Sequence, residues 1–477
     1  MRLTNSAFIS SDITGTGDGG NITIDATESV VVDGEKNNRG PSNISSGIGF
    51  KGAEGNAGDI KITTGSLRLT NGASILSETF GVGNGGNITI DATESVVVDG
   101  ESSSPVPSRI SSDSNGAANF GELEINTNSL RLTNGGQITA NNSGLANEGS
   151  IRINATESVI IDGKTSVGGA SRISSNVERG SKAGNITITT SLLQLIDGGF
   201  ITTDAANNVA ELGSGEAGEI LIDADIVLLG EDSTITTESI TEGNAGNIIL
   251  NASDTLVLEN ASITSNSSES AGGEITIAAG DIRLRGDSDI VTFVNNGVDN
   301  GGDITITADS VIAFDDSDIF AFAQDGTGGN INLDTPVFFG ENFTSNSLTG
   351  NPDFLDNNSR ADLNATGSVS GTVSVPDVSF IQNSLSELPD NSLDTDELLA
   401  NSCVVPIGNR KQGRFIITGG ESLPVRPGDS LPSKYPTGEV RNLPDNNNSW
   451  QPGDRIVEPQ GVYRLTNGKL VLSRKCL

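Results

Sequence analysis

The sequence predicts an all-β protein: a parallel β-helix of about 12 coils with three strands in each coil, followed by a small β-rich C-terminal module. Two observations predict this architecture. The segment GGNITIDATESVVVDGE stands at residues 19–35 and again, unchanged, at residues 85–101. A shorter pattern, a glycine followed by a polar residue and two alternate apolar residues, recurs at intervals of 27 to 38 residues. Its glycines are Gly20, Gly58, Gly86, Gly121, Gly149, Gly184, Gly218, Gly246, Gly273, Gly302 and Gly329, with a weaker copy at Gly371.

Apolar and polar residues alternate inside each repeat, which is the pattern of a β-strand that buries every second side chain. Ile88 and Ile90 mark a first strand, and Val96 and Val98 mark a second. A third short strand is predicted around an isoleucine later in each repeat, and its second inward position is small or hydroxylic. The isoleucines are Ile44, Ile75, Ile110, Ile138, Ile173, Ile201, Ile235, Ile263, Ile290 and Ile319.

A single repeat cannot bury its own apolar row, whereas stacked repeats can, with strands about 4.8 Å apart. We therefore expect one continuous core along the rod. An antiparallel sandwich is the alternative fold, because its strands are also short. Near-identical strands at a fixed period are not expected in a sandwich. The predicted core residues of two equivalent coils are Ile22, Ile24, Val30, Val32, Ile88, Ile90, Val96 and Val98.

Three long loops recur at one corner, between the second and third strands of every second early coil. They are residues 35–43, 101–109 and 164–172, and each adds seven residues to the short connection of the coil between them. Insertions of this kind often carry the binding face of a solenoid, so we expect a ridge of loops about 10 Å apart. Asn43, Arg109 and Arg172 are its candidate binding residues. Neutral loop drift, copied by duplication, is the alternative.

Acidic pairs spaced by one residue appear in the later coils, and calcium binding is one interpretation of them. Calcium needs six to eight converging oxygens, and the tandem nonapeptides of calcium-binding β-rolls are absent. We interpret the pairs as solvated turn carboxylates and expect no cofactor. They are Asp223/Asp225, Asp287/Asp289 and Asp316/Asp318.

Aromatic residues collect late in the rod. Phe293 and Phe322 are predicted to point outward on neighbouring coils, with Phe320 beside them. Such a patch needs a cover, and we expect residues 337–339 and Phe343 to provide it. A platform on which carbohydrate stacks is the alternative.

Composition divides the chain into residues 1–335, the β-helical rod; 336–378, an insertion and the last coil; 379–400, an acidic linker; and 401–477, a small module. Residues 1–400 have a net charge of −40, whereas residues 401–477 have a net charge of +5. The module contains both cysteines, Cys403 and Cys476, which we interpret as one disulfide rather than a metal site. A hairpin is predicted around residues 467–468.

The composition excludes several classes of function. The acidic rod argues against nucleic acid, because such binding depends on neutralising phosphates. The chain contains no histidine, which removes histidine-based triads and proton shuttles. No apolar run is long enough for a membrane helix.

Residues 2–5 repeat the motif RLTN of residues 68–71 and 131–134. The chain is therefore expected to begin in the middle of a coil, and its first residues do not resemble a signal peptide. We expect this chain to be the C-terminal part of a longer exported protein.

The GNITI…SVVVDG…ISS coils resemble the filamentous-haemagglutinin-like large exoproteins, the secreted members of two-partner secretion systems of cyanobacterial type. Residues 401–403 (NSC), 414–424 (RFIITGGESLP) and 456–461 (IVEPQG) are similar to the C-terminal end of the same family. The resemblance implies a right-handed β-helix, export through an outer-membrane transporter and an extracellular or cell-surface location. The N-terminal secretion domain of the family is missing from this chain.

Two classes of function remain open. The first is an adhesin-like structural exoprotein without catalytic activity, whose loops contact surface glycans or other cell-surface proteins. The second is a carbohydrate-active β-helix protein of the pectate lyase or polygalacturonase type. Fold alone does not separate them. The near-identical repeats, with no singular polar cluster, favour display over catalysis.

Overall fold

The protein is described from a computed structural model. The described residues are 1–34, 40–102, 105–114, 121–143, 149–178, 181–205, 215–240, 242–297, 299–343 and 355–376, with the short segments 441–442, 461–464 and 470–473. The chain consists of two compact units, Met1–Val378 and Ser379–Leu477. Each unit is described by itself.

The first unit is built from parallel strands joined by turns, and its described residues contain no helix. The strands, in chain order, are β1 (Arg2–Leu3), β2 (Phe8–Ser10), β3 (Ile22–Asp33), β4 (Asn43–Ser45), β5 (Ile60–Thr70), β6 (Ser74–Leu76), β7 (Ile88–Asp99), β8 (Arg109–Ser111), β9 (Leu123–Thr133), β10 (Gln137–Thr139), β11 (Ile151–Asp162), β12 (Arg172–Ser174), β13 (Ile186–Ile196), β14 (Phe200–Thr202), β15 (Ile220–Leu229), β16 (Ser233–Ser239), β17 (Ile248–Glu259), β18 (Ala261–Ser267), β19 (Ile275–Arg285), β20 (Asp289–Val294), β21 (Ile304–Ala313), β22 (Ile319–Ala323), β23 (Ile331–Asp334), β24 (Phe338–Gly340), β25 (Leu363–Asn364) and β26 (Val373–Ser374).

These strands form two parallel sheets that run the length of the unit. The odd-numbered strands from β1 to β23, with β24 and β26, form a 14-stranded sheet. The even-numbered strands from β2 to β22, with β25, form a 12-stranded sheet. Each turn of the chain adds one strand to each sheet, so the predicted all-β parallel β-helix is confirmed. No helix in the described part of the chain is long and apolar enough to cross a bilayer.

The first and second predicted strands of each early coil are joined into one long, bent strand. In β3 the pairing with β5 shifts between Ala26 and Ser29, which marks a bulge at the bend. The alternation of buried and exposed residues resumes after the bulge, so both halves of the strand bury one face. Two regular strands in each coil therefore contain the three segments that the sequence predicts.

The core lies between the two sheets and consists of aliphatic columns. Ile62, Ile90 and Ile125 are in register in β5, β7 and β9, and all three are fully buried. The eight core residues predicted from the two identical repeats are all buried. Stacking identical side chains gives each aliphatic residue equivalent contacts above and below, which is why the period of the sequence is preserved.

The recurrent glycine has a steric cause. Each of the twelve glycines of the pattern stands two residues before a strand of the larger sheet. A Cβ atom on Gly121 would lie 2.1 Å from the carbonyl oxygen of Gly86, and a Cβ atom on Gly86 would lie 2.1 Å from that of Gly58. Any other residue would push adjacent coils apart, so this column requires glycine.

The hydroxylic position of the third strand is explained by the same glycine column. Ser77 Oγ donates to the carbonyl of Gly86 at 2.8 Å, and Thr237 Oγ1 donates to that of Gly246 at 2.6 Å. Both hydroxyls are buried, and a buried carbonyl without a partner would cost free energy. The hydroxyl column therefore ties the shorter sheet to the start of each long strand.

The early repeat is a pair of coils because two different motifs bind each other. Asp99 lies between two coils that carry the RLTN motif. Its carboxylate accepts hydrogen bonds from Arg68 Nη2 (3.3 Å), Thr133 Oγ1 (2.6 Å) and Asn134 Nδ2 (2.8 Å). Asp33 accepts from Thr70 and Asn71 of the next coil, and Asp162 accepts from Arg131 of the preceding coil. Alternating VVVD and RLTN motifs therefore satisfy each other's polar groups.

The second unit contains three short described strands, β27 (Arg441–Asn442), β28 (Gly461–Arg464) and β29 (Leu470–Ser473). Strands β28 and β29 are antiparallel, with Val462 paired to Leu472, as the predicted hairpin requires. The turn predicted at residues 467–468 lies outside the described residues. Cys403, Cys476 and the linker 379–400 lie outside the described residues.

Candidate functional site

The three residues predicted for the binding ridge occupy one column of the shorter sheet. Asn43, Arg109 and Arg172 begin β4, β8 and β12, with Ser74 and Gln137 between them in register. They lie at the base of the long loops, not at the tips. All three are half-buried.

Arg109 has a structural partner. Its Nη2 lies 2.7 Å from Glu78 Oε1 in the preceding coil. Burial raises the pKa of Glu78, and the positive charge of Arg109 opposes that rise. Because the ion pair is largely withdrawn from water, removing either residue would leave a buried charge. Arg109 therefore stabilises the corner.

The side chain of Arg172 also contacts the preceding coil. Its Nη2 donates to Gln137 Oε1 at 3.5 Å, and its buried Nε has no hydrogen-bond partner among the described residues. Burial lowers the pKa of the guanidinium. The Asn43 Oδ1 atom is likewise buried without a partner. These positions are too enclosed to provide the main contacts of a large ligand.

The long loops themselves form the exposed surface of the ridge. Ser102 N donates to Val106 O at 2.8 Å, and Thr165 N donates to Gly169 O at 2.7 Å, so each loop is a small hairpin. The exposed fraction is 38% for Val106 and 71% for Val167. Residues 35–39 and 103–104 lie outside the described part of the loops.

Two of the loops touch each other across the intervening coil. The carboxylate of Glu101 accepts a hydrogen bond from Ser166 N at 2.9 Å and another from the Ser166 hydroxyl. Lys164 Nζ lies 3.3 Å from Asp232, which extends the contact further along the rod. We call the surface formed by residues 101–109 and 164–172 the loop ridge. The described parts of these two loops are in contact, whereas most of the first loop, residues 35–43, lies outside the described residues, so the ridge of three loops stays a prediction.

Two serines, which sequence reasoning missed, fix the loop ridge to the rod. Ser108 Oγ donates to Asp99 O at 2.8 Å and accepts from Gly72 N at 2.9 Å. Ser171 makes the same pair of contacts with Asp162 O and Gly135 N. The signal was available, because a serine precedes the last residue of each long loop. Both loops therefore leave the rod from a rigid base.

A shallow groove of about 630 Å³ lies along the bend of the long strands in later coils. Its lining includes Asp223 and Asp225, which lie within strand β15 and not in a turn. Asn251 Nδ2 donates to Asp223 at 2.6 Å, and Ser253 Oγ donates to Asp225 at 2.9 Å. Both carboxylates therefore take part in hydrogen bonds between coils.

The other two acidic pairs meet at one corner. Carboxylate oxygens of Asp287, Asp316 and Asp356 all lie within 4.8 Å of one another. We call these three residues the acidic corner. Asp287 and Asp316 occupy equivalent turns before β20 and β22, and Asp356 comes from the insertion that precedes β25. Sequence reasoning could not place Asp356 here, because the insertion has no counterpart in other coils.

A column of further carboxylates adjoins the acidic corner. Burial raises the pKa of Asp289 to about 7 and that of Asp318 to about 9, and neighbouring carboxylates add to both rises. Burial also raises the pKa of Asp287, with contributions from Asp356 and Asp316. Asp318 is fully buried. The interpretation of these pairs as solvated turn carboxylates is therefore wrong for Asp318.

The late aromatic residues are arranged differently from the prediction. Phe293 and Phe322 are half-exposed and stacked, with ring centroids 5.3 Å apart, so their outward direction is confirmed. Phe320 is buried. Phe338 and Phe343 pack edge to face against the core instead of covering the stack. The prediction of a cover is wrong because β24 joins the larger sheet, whereas Phe293 and Phe322 lie on the shorter one.

No family model matches the chain, and neither a curated protein nor a solved structure matches it. Any proposal for its function therefore rests on the residues and geometry of the chain itself.

Proposed function

We propose that the protein is an adhesin-like structural exoprotein, similar to the filamentous-haemagglutinin type, whose rod displays the loop ridge for contact with glycans or proteins on a cell surface. The contact between Glu101 and Ser166 carries this proposal. It joins loops from coils that are two positions apart into one exposed surface on a rigid base. Repetition of a weak contact along such a surface gives avidity when the spacing permits simultaneous engagement.

The distribution of polar side chains supports display over catalysis. In the described part of the rod, many carboxylates and amides accept hydrogen bonds from the adjacent coil. Asp59 accepts from Asn87 N and Asn87 accepts from Glu122 N, both at 2.8 Å. Asp99 accepts from three side chains. These contacts stabilise the stack, so they account for the carboxylates without a catalytic role.

Location and partners belong to the same proposal. The intact protein would be exported through an outer-membrane two-partner secretion transporter and would act outside the cell. A disulfide between Cys403 and Cys476 would fit that oxidising location. The support is the similarity of residues 401–403, 414–424 and 456–461 to the C-terminal end of the exoproteins.

A carbohydrate-active β-helix is the second candidate, and the groove favours it. The groove is long enough to span several coils and contains Asp223, Asp225 and Asp309. A polysaccharide chain could lie along such a surface. Against this candidate, Asp223 and Asp225 already accept hydrogen bonds from Asn251 and Ser253.

The experiment compares the intact chain with a variant in which all three long loops are shortened by seven residues. The rod tolerates short connections, because alternate coils already have them. Both proteins are tested for binding to glycan arrays and to cell surfaces, and for turnover of acidic polysaccharides. We expect the intact chain to bind, the shortened variant to lose binding, and neither to release products. Turnover that Asp225→Asn abolishes would overturn the proposal in favour of the enzyme.

A further inference from the structure

Asparagine precedes glycine at five places in the described part of the chain, and the surroundings of these five dipeptides differ. Asparagine is a chemically labile residue because its side-chain amide can be hydrolysed. Glycine after it makes the reaction easiest, because no side chain hinders attack by the glycine nitrogen. The five dipeptides are alike in chemistry, so differences between their rates would come from the fold. They are Asn71–Gly72, Asn84–Gly85, Asn134–Gly135, Asn296–Gly297 and Asn300–Gly301.

The reaction, deamidation, takes place within the dipeptide and needs only water. The backbone nitrogen of the glycine attacks Cγ of the asparagine, so that a C–N bond forms and closes a cyclic imide. The bond from Cγ to the amide nitrogen breaks, and this nitrogen leaves as ammonia with the proton of the glycine N–H. Water then opens the imide to aspartate or isoaspartate. The glycine nitrogen and the asparagine amide must therefore meet.

In the turn at Asn71 these two groups are held by opposite neighbours. Asn71 Nδ2 donates to Asp33 Oδ1 in the preceding coil at 2.7 Å. Gly72 N donates to Ser108 Oγ in the following coil at 2.9 Å, and Ser108 is fully buried. The amide and the nitrogen are thus drawn apart along the rod, and both hydrogen bonds must break before the two groups can meet.

The turn at Asn134 repeats this arrangement. Asn134 Nδ2 donates to Asp99 Oδ1 at 2.8 Å, and Gly135 N donates to the buried Ser171 Oγ at 2.9 Å. The carboxylate beside the amide also repels the negative charge that develops on the amide oxygen during attack. Both RLTN turns are therefore protected in the same way, by a carboxylate from the coil before and a serine from the coil after.

The dipeptide at Asn84 lacks this protection. Asn84 is exposed, and neither its side-chain amide nor Gly85 N has a hydrogen-bond partner among the described residues. Only the backbone of Asn84 is fixed, since its N donates to Asn56 Oδ1 at 3.1 Å. The two reacting groups are consequently free of the bonds that hold them apart in the RLTN turns.

The later coils contain one dipeptide of each kind. Asn296 is exposed, and in the described part of the chain its amide and Gly297 N have no hydrogen-bond partner, although Gly297 is buried. Gly301 N, by contrast, donates to Thr327 O at 2.7 Å, so the nitrogen that follows Asn300 is held. The state of the glycine nitrogen thus divides all five dipeptides.

We propose that the folded rod deamidates at Asn84 and Asn296, and that the two serines that fix the loop ridge protect the RLTN turns from the same reaction. Protection matters at these turns because a carboxylate in place of the Asn71 amide would face the carboxylate of Asp33 at hydrogen-bond distance. Isoaspartate would also lengthen the backbone of the turn. The inference is independent of the proposed function.

The test compares the folded full chain with the same chain unfolded in guanidinium chloride, both at mildly alkaline pH. Conversion at each site is followed by mass spectrometry of its peptides. In the unfolded chain the sites should convert at similar rates. In the folded chain Asn71 and Asn134 should convert at least about tenfold more slowly than when unfolded, because two hydrogen bonds must break. Asn84 and Asn296 should convert in the folded chain at least about tenfold faster than the RLTN turns.

The matched variants are Ser108→Ala and Ser171→Ala, because each removes the acceptor of one glycine nitrogen and leaves the other turn intact. Ser108→Ala should raise the rate at Asn71 at least about fivefold and leave the rate at Asn134 unchanged. Ser171→Ala should do the reverse. This reciprocity separates local protection from a general loss of stability, which would raise both rates together.

If neither variant folds by circular dichroism, amide hydrogen exchange of the unchanged chain is measured instead, and Gly72 N–H should exchange more slowly than Gly85 N–H. The proposal is overturned if Asn71 converts in the folded chain as fast as Asn84. It is also overturned if Asn84 and Asn296 convert only in the unfolded chain. Equal exchange at the two glycines, or a serine variant that accelerates both RLTN turns alike or neither of them, overturns it as well.

Discussion

The carbonyl oxygen of Gly86 lies 2.1 Å from the position that a Cβ atom on Gly121 would occupy. The same close approach, of 1.8 to 2.3 Å, recurs at Gly58, Gly86, Gly184, Gly218, Gly246, Gly273, Gly302, Gly329 and Gly371. The spacing between coils is therefore set by backbone contact at this column, and the glycine period is a direct consequence of stacking.

Gly121→Ala should consequently destabilise the rod. The methyl group would force two coils apart, and overpacking of this kind costs about 1–3 kcal/mol or more. The control is Gly15→Ala, because a Cβ atom at Gly15 meets nothing within 4 Å. Thermal unfolding followed by circular dichroism should show a lower Tm for Gly121→Ala only. Equal Tm values for both variants would refute the steric account of the repeat.

Ile90→Asp tests the continuous aliphatic core. Ile90 is fully buried between Ile62 and Ile125, so an aspartate there would have no partner and would cost at least about 4 kcal/mol. Thr23→Asp is the control, because Thr23 is exposed and lies next to Lys61 in the register. Chemical denaturation should show a large loss of stability for Ile90→Asp alone. An unchanged unfolding curve would contradict the stacked core.

The sequence predicted the parts of the fold that repeat and missed the parts that occur once. Ile90, Val98 and the hydroxyl of Ser77 lie in columns, so their environments recur and their periodicity reveals them. The joining of two strands at the bulge near Ala26 was hidden, because the bulge interrupts the alternation and the interruption resembles a turn between two separate strands. The position of Asp356 was also hidden, because its insertion has no equivalent coil with which to compare it.

In the candidate site, too, the sequence predicted the feature that recurs between coils and missed the contacts of single residues. The corner of the three long loops followed from their common position, and the contact between Glu101 and Ser166 agrees with it. The roles of Arg109 and Arg172 did not follow, because a charged residue at a loop end can face either solvent or the adjacent coil. The partner of Arg109 is Glu78, which lies one coil earlier.

Stability should depend on pH through Asp204. Burial raises the pKa of Asp204 to about 6, with a further contribution from the charge of Glu238. A carboxyl with a raised pKa in the folded state stabilises the fold at low pH, and this contribution is lost as the pH rises through about 6. The free energy of unfolding of Asp204→Asn, relative to that of the unchanged chain, should therefore rise by on the order of 2 kcal/mol when the pH is raised from about 4.5 to about 7.5.

The measurement for Asp204 is urea unfolding at the two pH values, at low protein concentration because the lower pH is near the isoelectric point of about 4.1. Asp225→Asn, a change at an exposed aspartate, is the control. A stability difference between Asp204→Asn and the unchanged chain that does not vary with pH would show that Asp204 does not titrate in this range.

The cysteines of the second unit are predicted to form a disulfide. Closing a loop of about 74 residues should stabilise the unit by roughly 4 kcal/mol in the chain-entropy model. Thiol titration of protein purified under oxidising conditions and then unfolded should detect no free thiol before reduction and two afterwards. Cys403→Ser should show one thiol without reduction. Two reactive thiols in the unreduced, unchanged chain would contradict the pairing.

The most direct test of the proposed display function is the dependence of binding on the number of long loops. Variants with one, two and all three loops shortened are compared with the intact chain on the cell surface or glycan that the intact chain binds. Phe80→Ser/Val82→Ser, which changes exposed apolar residues outside the long loops, is the control. If binding depends on avidity, the apparent Kd should rise more steeply than in proportion to the number of loops shortened. Shortening all three loops should raise it at least about 100-fold. Binding that stays unchanged when all three loops are shortened, and falls in the control, would contradict the account.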